Sequence, residues 1–244
     1  YENPPHWFRE DKSYNPKTEI RGGFTEEFAF EELKKIFGKN NVFSNVKIFE
    51  GKEIKGEIDV LVVFANRAIV VQAKSKTLTI EARKGNDNCL KDDFAKAIQK
   101  SYDQGFSCAN LLKSGNCRLI DSKSNEITIN NNFKEIYIFC LIADHYPALS
   151  FQSKQLLKFE QSDIILPPFV MDVFTLDAII EMLSSPLYFL SYINRRVKYS
   201  DRIMATHELT ILSYHLKRNL WISKEHDFFY LGDDISIDLD IAMM

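Results

Sequence analysis

The chain has 244 residues, 45% of them hydrophobic, and its 31 basic and 34 acidic residues leave a net charge of −3. That is enough apolar material for one large domain, or a domain with an appended lobe. It excludes a polycationic coat for nucleic acid, so any DNA affinity has to come from a local basic surface.

Residues 1–22, rich in Pro, Asn and charge, read as an irregular N-terminal arm that Trp7 and Phe8 pin to the body. Phe24 to Phe37 is the first predicted helix, with Phe28, Leu33, Ile36 and Phe37 at helical spacing and Gly38 as its left-handed stop. Glu26, Glu27, Glu31 and Glu32 crowd its first turns, where they complement the helix dipole. Asn41 to Phe49 alternates as a strand, and Lys52 to Lys55 is a turn. Residues 56–76 (GEIDVLVVFANRAIVVQAKSK) are two apolar runs, with Asn66 and Arg67 as a two-residue hairpin loop between them. Thr77 to Ile80 prolongs the second run, and residues 81–88 form a polar loop holding Arg83 and Lys84. Leu90, Phe94, Ile98, Tyr102 and Phe106 mark one face of a long helix over 90–112. A small hairpin follows within 117–130, and Phe133 to Asp144 reads as a central strand.

Beyond Asp144 the character changes. Pro147, Pro167 and Pro168 punctuate a loop region, followed by a strand at 169–174 and helices at 175–183, 186–196 and 206–220; Ser185-Pro186 opens the second of these. Residues 233–244 suggest a short strand. The expected division is an arm (1–22), a main domain (23–150) and a mainly helical C-terminal extension (151–244). The chain starts at Tyr1, which leaves room for further domains of a longer protein. No apolar run is long enough to cross a membrane. The four cysteines (Cys89, Cys108, Cys117, Cys140) form no CxxC pair and read as reduced thiols of a cytoplasmic protein.

The chemistry concentrates in 56–76. Carboxylate, amide and ammonium groups are costly in an apolar sheet unless paired or bound, yet Asp59, Gln72 and Lys74 interrupt these runs. With Asn66 and Arg67 as the loop, opposite residues sum to 133: Asp59 faces Lys74, Leu61 faces Gln72, and all three polar groups project from one face. Asp59, the Gln72 amide and the Ala73 carbonyl offer oxygens of the kind Mg²⁺ takes. Lys74 is placed to orient a water or stabilise a phosphate. A plain Asp59–Lys74 ion pair with Gln72 bonded nearby fits the same pattern. Lys76, Arg83 and Lys84 follow the cluster and either meet phosphates or solvate a loop. Lys96, Gln99 and Lys100 lie on the next helix. His207-Glu208 begins like HExxH, but Ile211 breaks the pattern, and His207 and His215 read as helix-surface residues. His145 follows the central strand.

The order helix, three strands, helix, strand, with an acid on the second strand and a (D/E/Q)-x-K triplet on the third, resembles the PD-(D/E)XK nuclease superfamily. Gln72-Ala73-Lys74 is similar to the QxK variant of Mrr-like restriction endonucleases, which also carry a Glu in the first helix after a Gly-Phe-like start. Gly23, Phe24 and Glu27 match that feature, with Glu26 adjacent. The resemblance covers about residues 22–144. Ile58 replaces the family's Pro, and Gln72 removes a charge that Glu27 or Glu57 has to supply. The resemblance implies an α/β fold with a restriction-endonuclease-like core and a C-terminal mainly helical extension. It implies a Mg²⁺- or Mn²⁺-dependent DNA endonuclease of bacterial genome defence or DNA processing. Asp59, Gln72, Lys74 and Glu27 are then catalytic. Asp59, Gln72, the Ala73 carbonyl and Glu27 or Glu57 hold the metal, and Lys76, Arg83, Lys84 and Gln99 meet DNA. Cutting both strands favours a homodimer. The alternative is a nuclease fold that has lost activity and binds nucleic acid or a protein partner.

Overall fold

The computed structural model describes residues 18–76, 79–130, 132–144, 149–160, 162–223 and 227–232, without the side chains of 18–22, 83, 150 and 151. Trp7, Phe8, His145 and the strand suggested at 233–244 therefore lie outside the described residues. In chain order the elements are α1 (Thr18–Phe37), β1 (Val42–Glu50), β2 (Glu53–Phe64), β3 (Arg67–Lys74), α2 (Ile80–Arg83), α3 (Asp87–Phe94), α4 (Lys100–Ser114), β4 (Arg118–Ile120), β5 (Glu126–Ile127) and β6 (Glu135–Ile142). Then come α5 (Leu149–Leu156), β7 (Phe169–Asp172), α6 (Val173–Met182), α7 (Pro186–Lys198), β8 (Ile203–Met204), α8 (Glu208–Arg218) and β9 (Phe229–Tyr230). A π-helical turn over Ala95–Gln99 joins α3 to α4.

Among the described residues, seven strands form one sheet in the order β5-β4-β1-β2-β3-β6-β7. β1, β2 and β3 are an antiparallel meander, and β6 and β7 continue it in parallel with β3. Both faces of β3 and β6 are covered, which explains their nearly unbroken apolar sequences. Ala68, Val70, Ile136 and Ile138 meet the α4 side, while Ile69, Val71, Tyr137 and Phe139 meet α1 and the later helices. The result is an α/β fold with a central sheet and a helical C-terminal part.

Three expectations change. α1 starts at Thr18 and runs through Gly22 and Gly23, so part of the expected arm is helix; interior glycines weaken a helix by about 1 kcal/mol each without forbidding it. β3 stops at Lys74, and Ile80 opens a helix rather than ending a strand. The residues after 150 also share the main core. β7 extends the sheet, and Leu176, Phe189, Tyr192 and Leu212 pack in one cluster with Ala29 and Leu33 of α1. The Ser185 N-cap forms as expected, its hydroxyl accepting from the Tyr188 N–H at 3.3 Å.

Candidate active site

The β2–β3 hairpin turns one residue earlier than its sequence suggests. Phe64 pairs with Arg67 and Val60 with Val71, so opposite residues sum to 131 and Ala65 and Asn66 form the loop. Ala65 takes the left-handed φ of +52° that the tight turn demands. Arg67 is held in the strand by its neighbour β6, through a 2.7 Å ion pair with Glu135. The Lys134 N–H also donates to the Asn66 carbonyl at 2.8 Å. The expected pairing of Asp59 with Lys74 is thereby overturned.

What replaces it is a gap. The β2–β3 register ends at Val60 and Val71. Ile58 and Val60, two residues apart, belong to opposite core layers, so the alternation of β2 breaks at Asp59. Across from it on β1, Asn45 has φ +48°. With the strands parted, side chains take over the ladder. The Ala73 N–H donates to Asp59 Oδ2 at 2.7 Å, and Gln72 Nε2 donates to the Glu57 carbonyl at 2.8 Å. Asp59 thus lies between the strands, not on one face with Gln72 and Lys74.

Helix α4 closes one side of the gap. Gly105 lets it approach: a Cβ there would sit 2.7 Å from Ile138 Cγ2 and 3.5 Å from Gln72 Cγ. Ser101 Oγ donates to the Gln72 carbonyl at 3.0 Å, and Cys108 Sγ reaches the Glu57 carbonyl at 3.5 Å. Gln72 is buried beneath this helix, and its Oε1 makes no hydrogen bond among the described residues.

From the other side, α1 supplies Glu26. Its carboxyl is pushed above the ordinary range by burial and by the charge of Asp59; Glu57 adds to this and Lys74 opposes it. Asp59 is raised likewise by burial and by Glu57, against the Ala73 hydrogen bond and Lys74. Glu27, the sequence candidate, points to solvent. The deciding signal was Ala29: with Leu33 it defines the buried stripe, and Glu26 lies three and seven residues before them on the same stripe. Glu57 is exposed, though its charge is felt by both Asp59 and Glu26.

The candidate DNA contacts divide. Lys76 is tied down by a 2.7 Å ion pair to Asp93, a carboxylate 2% exposed that also accepts from the Thr79 N–H and hydroxyl at 2.7 and 2.8 Å. Burial raises the Asp93 carboxyl, but these bonds outweigh it and hold the group below the usual range. Gln99 is also occupied: its amide brackets the Lys158 peptide, donating to the carbonyl at 2.9 Å and accepting from the N–H at 3.0 Å. Lys84 is exposed, 3.8 Å from Glu81. The Arg83 side chain is outside the described residues. Neither expected histidine reading carries into a site: His207 stands at the start of α8, and His215, read as a surface residue, is buried against Tyr192.

The model of the nuclease-related domain family matches residues 21–143, half of the chain. The match runs from α1, which carries Glu26, to the end of β6. No curated protein and no solved structure matches the chain. Among the described residues no helix is long and apolar enough to cross a membrane.

Proposed function

The chain belongs to the nuclease-related domain family, and from that premise we propose that it is a Mg²⁺- or Mn²⁺-dependent DNA endonuclease of the QxK type, centred on the gap between β2 and β3. The observation that carries the reading is the Asp59 carboxylate set into the parted ladder, with Glu26 and Lys74 in electrostatic reach. Both carboxyls are raised by burial and by the charge of Glu57, and Glu26 also by that of Asp59, so both are poised to gain from a nearby cation. Mg²⁺ commonly takes one or two carboxylates and fills its remaining positions with water and substrate phosphate. Asp59 and Glu26 fit that demand, with Gln72 Oε1 and the Ala73 carbonyl as neutral oxygens. A bound cation supplies an acidified water and neutralises charge on the phosphate. Lys74 orients the attacking water and counters the charge that builds up on the phosphate. Lys84 and Arg83 meet the flanking DNA backbone, and a homodimer brings two centres to the two strands.

The competing reading is a nuclease fold that binds nucleic acid without cutting it. One observation favours it: no three His, Cys, Asp or Glu side chains gather closely enough to hold a metal by themselves among the described residues. Plasmid nicking with and without Mg²⁺ or Mn²⁺ separates the two. Metal-dependent nicking by the wild type, lost in Asp59→Ala and reduced about 10²-fold in Glu26→Gln but not in Glu27→Gln, is expected. Salt-dependent DNA affinity without turnover would establish the binding module instead.

The raised carboxyls set the pH response. Cation binding needs Asp59 and Glu26 deprotonated, so activity falls as pH drops through their raised values. The acid limb of kcat/KM is expected above the ordinary carboxylate range. In Glu57→Gln it shifts to lower pH, because a charge that raises both groups is gone. An unmoved limb would remove Asp59 and Glu26 as the titrating groups.

A further inference from the structure

A cavity of about 230 Å³ lies at the β7 edge of the sheet, separated from the β2–β3 gap by β3 and β6, between α5, the start of β7, the end of α7 and β8. Its lining comes entirely from residues 153–211, beyond the end of the family match at 143. It exceeds the roughly 150 Å³ apolar cavity that admits a benzene ring. Leu157, Phe159, Pro167, Phe169, Val197 and Ile203 make most of its wall apolar.

The cations in this cavity are what a fold would avoid without a reason. Arg196, its side chain 11% exposed, uses Nε and Nη2 on Glu208 at 2.7 and 2.9 Å and lies over the Phe169 ring at 5.7 Å. Lys154 lines the same space. Its ammonium donates to the Asp201 carbonyl at 2.6 Å and rests over the Phe228 ring at 4.9 Å. Burial lowers the basicity of Lys154, the Asp201 charge opposes that, and the Arg196 charge lowers it further. Glu208 neutralises Arg196 and is not part of the lining; the lining carboxylate, Asp201, is exposed. Two cations therefore face one apolar space, Arg196 paired from outside it by Glu208 and Lys154 held by a backbone carbonyl, a combination that marks ligand sites.

We propose that this cavity binds a small organic anion with an apolar body about one aromatic ring in size, its acidic group toward Lys154 and Arg196 and its body against Phe159, Pro167 and Ile203. The site is separate from the proposed nuclease centre and stands whether or not the chain cuts DNA.

The test uses the full chain and three matched probes: trans-cinnamate, the neutral cinnamamide and the cationic cinnamylamine. Calorimetry and ligand-observed saturation-transfer NMR report binding. Saturable binding of cinnamate is expected, with cinnamamide about tenfold weaker and cinnamylamine undetected. Lys154→Met should weaken cinnamate about five- to tenfold and leave cinnamamide unchanged; Ala205→Phe, which fills the space, should abolish both. Equal affinity for acid and amide, or unchanged cinnamate binding in Lys154→Met, overturns the anion site. No saturation by any probe up to about 10 mM overturns the cavity as a binding site.

Discussion

Replacing Lys74 by alanine is expected to cut metal-dependent DNA cleavage by about 10²–10³-fold while leaving the midpoint of urea unfolding where it was. Replacing Lys76 by alanine should do the opposite. The two lysines stand two residues apart, but the fold gives them different work. The Lys74 backbone is fixed, its carbonyl accepting from the Ala143 N–H at 3.0 Å. Its ammonium makes no hydrogen bond or ion pair among the described residues, although its charge acts on Asp59 and Glu26. It is thus held at the end of β3 with its head available to a phosphate or a water. Lys76 is committed to Asp93, and that carboxylate is almost wholly buried. Removing Lys76 leaves the Asp93 charge, among the described residues, with Thr79 as its hydrogen-bond partner, a loss of about 1–3 kcal/mol. Cleavage per folded molecule should stay within about twofold, because the Lys76 ammonium is engaged by Asp93. Lys74→Arg is not a rescue: a planar fork does not replace a compact ammonium at one point. The proposal for Lys74 fails if Lys74→Ala nicks plasmid at the wild-type rate with Mg²⁺ present.

This contrast also shows which parts of the site could be read from sequence. The order of α1, β1 to β3, the long helix and β6 followed from periodicity, because each element buries a face or two whose apolar spacing is written locally. Asp59, Gln72 and Lys74 stood out because polar groups are costly in apolar strands. What the local pattern could not carry was the register. Arg67 looks like a loop residue until Glu135, 68 positions away, claims it. Once the hairpin turns at Ala65 and Asn66, Asp59 loses Lys74 as its opposite number. The break at Asp59 then turns the carboxylate into the ladder, toward the Ala73 N–H. Gln99 and Lys76 show the same limit. Polar residues after a candidate site look available in sequence, and their partners, the Lys158 peptide and Asp93, are known only once the chain is folded. Glu26 was legible in principle, since Ala29 belongs to the helix stripe, but a small residue is easily passed over in favour of Phe28.

The second large effect is expected far from the site. Glu208→Ala should lower stability by about 3–5 kcal/mol, read as a shift of the urea midpoint at constant slope. Glu208 accepts from Arg196 through Nε and Nη2 and from the Tyr192 hydroxyl at 2.6 Å, all in a buried setting. The network joins α7 to α8, and Arg196 stacks over Phe169 of β7, so it fastens the C-terminal helices to the last strand of the sheet. Removing the carboxylate leaves a guanidinium that cannot shed its proton and has little access to water. Tyr192 loses its acceptor at the same time, and the neighbouring His215 supplies no counter-charge. Burial and the charge of Arg195 hold that imidazole down to about 4, so it is neutral and adds no charge to the network at neutral pH. The double replacement Arg196→Met with Glu208→Leu should recover most of the loss, because an apolar pair needs no compensation for desolvation. Because β7, α6 and α7 share one core with α1, unfolding of Glu208→Ala should remain a single transition. DNA nicking should then disappear at the same urea concentration as the helical signal. Two separated transitions, with nicking surviving the first, would instead show that residues beyond 150 unfold independently of the sheet that carries Asp59.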